Sequence, residues 1–283
     1  MVTNNIIITT AVISIITGVL SAMLGIGGGA IIVPTFSMIL GLPIQITIGT
    51  SKFIMLFTST SSAIGHFRYK RIDWKTGVLL EVATIPGSIL GAQLITVIDP
   101  HILKMIVGLV LTAAGFNMIK GRKERAKSKS VEKESGWRRT ILTKNGKVYS
   151  YTLTIKQLIA ALIMSFIAGL IAGISGLGGG IVKVPVLNLI LNIPIHVATS
   201  TSAFMILLTT PPTAIVHIIN NQVNWIISLI AAPGLIIGAQ VGARIVGDIK
   251  PKNLRRIFAI ALITLSLKMI YDGYMAYMAQ MNI

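Results

Sequence analysis

A glycine run that interrupts a hydrophobic stretch, and later does so again, constrains this chain more than any other feature. Gly25-Ile-Gly-Gly-Gly-Ala-Ile-Ile-Val-Pro34 recurs as Gly176-Leu-Gly-Gly-Gly-Ile-Val-Lys-Val-Pro185, 151 residues further on. The same offset relates Pro43-Ile44 to Pro194-Ile195, Thr50-Ser51 to Thr201-Ser202, and His66 to His217. It also relates Ile72-Asp73-Trp74 to Val223-Asn224-Trp225. Broken hydrophobic helices in corresponding places of two repeats point to a transporter whose site lies between those repeats.

The surrounding sequence belongs in a bilayer. Of 283 residues, 53% are hydrophobic and 12% charged, where a soluble domain carries about 25% charge. Apolar runs at 6–24, 76–98, 102–119, 157–175, 225–247 and 257–271 approach the ~20 residues that cross a hydrocarbon core. The N-terminal run lacks a basic leader and continues into the glycine motif, so it reads as part of the mature protein. Cysteine is absent, which excludes a disulfide framework and thiolate metal sites.

Net charge is +17, and its placement gives a topology. Residues 120–156 hold 12 of the 25 Lys and Arg, as a cytoplasmic loop does under the positive-inside bias. No aromatic or groove-reading pattern accompanies the charge, so nucleic acid is not an expected partner. Within this linker, Asn145-Gly146 flanked by alternating apolar residues over 140–154 predicts a β-hairpin. Arg68, Lys70, Arg71 and Lys75 place loop 67–75 inside too, with one span (46–66) before it and two (76–98, 102–119) after it. The charges of the second half are reversed. Loop 218–224 is uncharged, whereas 248–256 holds Lys250, Lys252, Arg255 and Arg256.

The expected fold is therefore an all-α polytopic membrane protein of two inverted-topology repeats, 1–119 and 157–283, joined by the basic linker 120–156. Each repeat has a glycine-tipped helix hairpin and three transmembrane helices, and both termini face the outside. The arms at 30–41 and 181–191 are too short to span and read as half-helices.

The chemistry is expected at the tips. Gly27, Gly28 and Gly29, with Gly178, Gly179 and Gly180, leave backbone N–H groups uncovered at helix starts, where a small oxyanion is favoured. The alternative is that they only permit close helix packing. The hydroxyls of Thr50, Ser51, Thr201 and Ser202 either donate to the same anion or bond back to their own helices. Lys183 reads as a counter-charge for the anion, against snorkelling to an interface; Lys52 is open between these roles. Glu81 reads as pairing with basic residues of the inner loop, against carrying a coupling proton. His66, His217, Trp74 and Trp225 read as interfacial groups. Gly25 to Ala30 fits a dinucleotide fingerprint formally, but no βα pattern or ribose-binding carboxylate follows. With no nucleophile–base set or ligand cluster, neither an enzyme nor a cofactor or metal is expected.

Taken together, Gly-x-Gly-Gly-Gly-x-x-x-Val-Pro followed by Pro and Thr-Ser, twice, resembles the TauE/SafE family of sulfite-exporter-like permeases. The Ala63–His66 and Ala214–His217 segments, the paired Trp74 and Trp225, and Pro86-Gly87-Ser-Ile-Leu-Gly91-Ala-Gln93 beside Pro233-Gly234-Leu-Ile-Ile-Gly238-Ala-Gln240 fit it as well. The resemblance covers all but 120–156. It implies transport of small sulfur-containing anions such as sulfite or organosulfonates. The bilayer is an expected partner, and uptake, unlike export, would need a coupling proton or cation. Export is the expected direction. The alternatives are uptake of another anion or sulfur solute, or a membrane scaffold acting through its basic linker.

Overall fold

The structure is a computed structural model that describes residues 4–24, 28–120, 136–144, 146, 148–245 and 251–281. Helices account for nearly all of it: α1 (Asn4–Leu24), α2 (Gly29–Met38), α3 (Ile44–Arg68), α4 (Trp74–Leu94) and α5 (Pro100–Lys120) precede the linker. After it come α6 (Ile155–Ser175), α7 (Gly180–Pro185), α8 (Ile195–Ile219), α9 (Trp225–Ile245) and α10 (Pro251–Met281).

Local chemistry sets most boundaries. Pro43 and Pro194, at matching positions, precede α3 and α8. Asp73 caps α4 by accepting the Thr76 amide, and Thr154 with Gln157 forms a capping box at α6. Gly176, at φ 70°, ends α6 in the left-handed region that glycine enters freely. Pro185 closes α7 without an N–H to continue it, and Val186–Ile190 widens into a π-helical turn.

Four helices are long and apolar enough to cross a membrane among the described residues: Trp74–Leu94, Pro100–Asn117, Ile155–Ser175 and Ile195–Ile219. Shorter apolar stretches lie at Ile7–Ser21, Gly29–Met38, Gly180–Ile190 and Trp225–Val241. Helix α10 runs well beyond the expected 257–271. The outward faces of α4 and α9 carry exposed apolar side chains such as Val82 (69%) and Leu229 (70%), as lipid contact requires.

The packing follows the offset of 151. Helix α1 lies on α9, and its equivalent α6 lies on α4; α5 packs on α10, and α3 on α8. A side chain at Gly18 would collide with the Leu235 carbonyl, and one at Gly169 with the Thr84 carbonyl, so both interfaces are backbone against backbone. These equivalences correct one sequence match. Pro86–Gln93 and Pro233–Gln240 align at an offset of 147, yet Gly87 meets Phe166 as Gly238 meets Ile15, one helical turn away from that alignment.

In the linker, β1 (Trp137–Leu142) and β2 (Val148–Leu153) pair antiparallel, from Trp137 opposite Leu153 to Leu142 opposite Val148. Gly146 sits in the connecting turn at φ 74°. Ile141, Tyr151 and Leu153 belong to the same core as Leu80, Ala161, Val184 and Met205, so this hairpin is packed against the helices.

Candidate functional site

Two lysines and a glutamate are removed from solvent within the helical body. Lys52 on α3 is 0% exposed, Lys183 on α7 1% and Glu81 on α4 2%. Lys183 Nζ donates to Glu81 Oε1 at 2.7 Å and lies 2.5 Å from Thr209 Oγ1 on α8. The Thr209 hydroxyl donates to the other carboxylate oxygen at 2.6 Å. An ion pair with both carboxylate oxygens engaged is an arrangement that a low-dielectric interior tolerates. Lys52 has no such arrangement: its ammonium lacks a hydrogen-bond partner among the described residues. It lies within electrostatic reach of Lys183, Glu81 and His217.

One sequence expectation changes here, and one alternative is set aside. Glu81 pairs with Lys183 of the other half and not with an inner-loop base. Lys183 does not snorkel; its long side chain folds back beside Gly179 to reach the carboxylate. Thr209 was missed, although its equivalent Thr58 preserves a threonine at that position in both halves. The charges break the repeat. Lys52, Glu81 and Lys183 correspond to Ala203, Ala232 and Ile32.

The glycine motifs approach each other. Gly29, at the start of α2, abuts the Gly176 carbonyl and Leu177, and Gly178 sits against Met55 on α3 and Ile206 on α8. Gly28 (φ 80°) and Gly179 (φ 76°) share the left-handed conformation that excludes most side chains. Gly180 opens α7 and is buried. Gly27 lies outside the described residues.

The hydroxyls divide by role. Thr50 accepts the Asn224 amide at 2.9 Å, and Thr201 accepts the Asp73 amide at 3.0 Å, a matched pair of bonds between the halves. Neither bonds back to its own helix in the way the sequence suggested as the alternative. Ser51 donates to the Gly176 carbonyl at 3.1 Å, while Ser202 Oγ is buried without a partner among the described residues. His217 contacts Gln222 at 2.7 Å near the end of α8 and is fully buried; His66 meets Ser200 at 3.1 Å. Trp74 and Trp225 are about half exposed at the starts of α4 and α9. No group of three metal-ligating side chains occurs among the described residues.

At the loop before α4, Asp73 is enclosed by the hairpin. Arg139 donates from Nε at 3.1 Å and Nη2 at 2.5 Å, and the Tyr151 hydroxyl donates at 2.6 Å. Burial would raise the Asp73 carboxyl, but hydrogen bonds from Arg139, Thr76 and Tyr151, with the guanidinium charge, hold it below the usual carboxylate range. Burial raises the Tyr151 phenol, and the neighbouring carboxylate adds to that.

The profile of the sulfite exporter TauE/SafE family matches residues 10–269, almost the whole chain. The chain belongs to the TauE/SafE family. This TauE/SafE protein is 29% identical to the probable membrane transporter protein YunE of Bacillus subtilis, over 93% of its own length and 96% of the relative's. It is 28% identical to a probable membrane transporter protein of Methanocaldococcus jannaschii, over 86% and 88% of the two chains. No solved structure matches it. Family, relatives and apolar helices agree on a membrane transporter for a small molecule.

Proposed function

We propose that this TauE/SafE protein is a secondary exporter of small sulfur-containing oxyanions such as sulfite or organosulfonates. The observation that carries the reading is the buried cluster of Lys52, Lys183 and Glu81, two lysines against one carboxylate, with the Lys52 amine unpartnered among the described residues. A desolvated surplus cation favours an anionic cargo. The family's description as a sulfite exporter supports the choice of sulfur oxyanions.

The halves work as inverted repeats that alternate access to a site near the glycine tips. Gly27, Gly28, Gly29, Gly178, Gly179 and Gly180 offer backbone amides in place of hydration. Ser51, Ser202, Thr50 and Thr201 orient the anion, and Lys183 joins them when its bond to Glu81 is exchanged. The basic linker faces the cytoplasm and the termini face outward. A negative-inside potential favours exit of a singly charged anion by ~2.3 kcal/mol per 100 mV, so export proceeds without a coupled ion.

The test is sulfite flux in proteoliposomes under an imposed potential, comparing wild type with a Gly28→Leu, Gly179→Leu variant of verified folding and insertion. Potential-driven flux that disappears in the variant is the expected result. Absence of sulfite flux in wild type would reject sulfite, and equal flux in both would reject the glycine tips as the site.

A further inference from the structure

We propose that the Lys52 ammonium is the anion-binding group and that the net charge of its buried surroundings selects singly charged anions over doubly charged ones. The inference rests on the anion-transport reading above and deepens it. Lys52 is 0% exposed on α3, and none of its three N–H donors is engaged by the described residues. One turn on from Lys52, Met55 reaches Gly178 of the second glycine tip. Lys183, the other buried cation, has both Glu81 and Thr209 as partners, so Lys52 is the group left to receive a ligand.

The charged and titratable groups facing Lys52 are Lys183 from α7, Glu81 from α4 and His217 from α8. With His217 neutral, Lys52, Lys183 and Glu81 leave a balance of one positive charge. One negative charge on the ligand closes that balance. A second would be left buried without a counter-charge, which is costly in a water-excluded interior. Sulfonates and hydrogensulfite satisfy the count; sulfate and fully ionised sulfite do not.

Substituting Lys52 gives a result that ordinary structural damage does not. Lys52→Met keeps the volume and removes an unpaired buried charge, so the ligand-free protein becomes more stable as it loses its ligand. The experiment follows thermal unfolding of the purified full chain at about pH 6, where Lys52 carries its proton and the buried His217 stays neutral. The probes are sodium methanesulfonate and sodium sulfate, with ionic strength balanced by bulky gluconate. Wild type is expected to gain several degrees with methanesulfonate and to bind sulfate at least about tenfold more weakly. Lys52→Met is expected to start higher and show no methanesulfonate shift. Glu81→Gln, where it folds, raises the balance to two positive charges and moves the preference toward sulfate.

Equal shifts by the two anions in wild type, or an undiminished methanesulfonate shift in Lys52→Met, would overturn the proposal. If no anion shifts wild type while sulfite flux persists, the Lys52 site falls and transport stands. If the shifts follow the expected pattern and no flux is found, anion binding stands and transport falls.

Discussion

Arg139 of the linker hairpin grips Asp73, the residue that starts α4, with two nitrogens of its guanidinium. The Asp73 backbone amide is meanwhile held by Thr201 of α8. One aspartate thus connects the linker, the first half and the second half. Arg139→Ala removes the charge that compensates a fully buried carboxylate, and is expected to cost about 3 kcal/mol. Trp137, stacked beside the Arg139 guanidinium, should change its emission as the hairpin detaches.

The pH dependence of this docking follows from the depressed Asp73 carboxyl. The folded-state value lies below the unfolded one, so its stabilisation is fully present above the unfolded range. It is lost as pH falls through the folded value. Tyr151 is shifted upward, so its contribution persists below the ordinary tyrosine range and fades above it. Hairpin protection in hydrogen exchange should therefore be flat from roughly pH 5 to 9 and decline in stronger acid.

For the Lys183–Glu81 pair, removing one charge strands the other. Lys183→Met or Glu81→Leu alone should each destabilise by about 3–5 kcal/mol, whereas the two together should recover most of that loss. A double-mutant cycle by thermal unfolding checks this, and additive losses would contradict it.

The two cross-half hydroxyl bonds are predicted to differ in weight. Thr201→Val leaves the Asp73 amide unpaired in a buried setting, at a cost of about 1–3 kcal/mol. Thr50→Val does the same to the Asn224 amide, which is only part-buried, and should cost less. Equal losses would show that burial does not set the difference.

Glycine positions should separate by surroundings and not by residue type. Gly169→Ala drives a methyl into the Thr84 carbonyl and should destabilise the α4–α6 contact strongly. Gly65→Ala in α3 meets nothing within 4 Å and should gain about 0.5–1 kcal/mol of helix stability. Melting midpoints of the two variants decide it.

The sequence carried the elements well where the signal was local. Pro43 and Pro194 mark helix starts, Gly146 falls between the paired strands while Asn145 lies outside the described residues, and the repeat offset reappears in bonds such as Thr50 to Asn224. Candidate side chains were harder to place, because burial and partner choice depend on which helices face one another. Glu81 sits 102 residues from Lys183, and nothing within α4 indicates that α7 will deliver its cation there. The equivalence of Thr201 to Thr50 was visible in the sequence, whereas the loop amide that Thr201 holds was not. The PGxxxGAQ segments misled for a related reason: glycines one turn apart lie on nearly the same helix face, so identity alone does not fix the register.

The crossed packing of α1 on α9 and of α6 on α4 means that what was copied and what holds together are different objects. Each copy lends its first helix to the other, at interfaces too close for side chains to slide through. A cut in the chain between 120 and 136 would therefore release no separable halves, since every fragment remains clasped by its counterpart. Cohesion of the copies is thus expected to rest on crossed helices, and a linker freed from that duty can acquire work of its own.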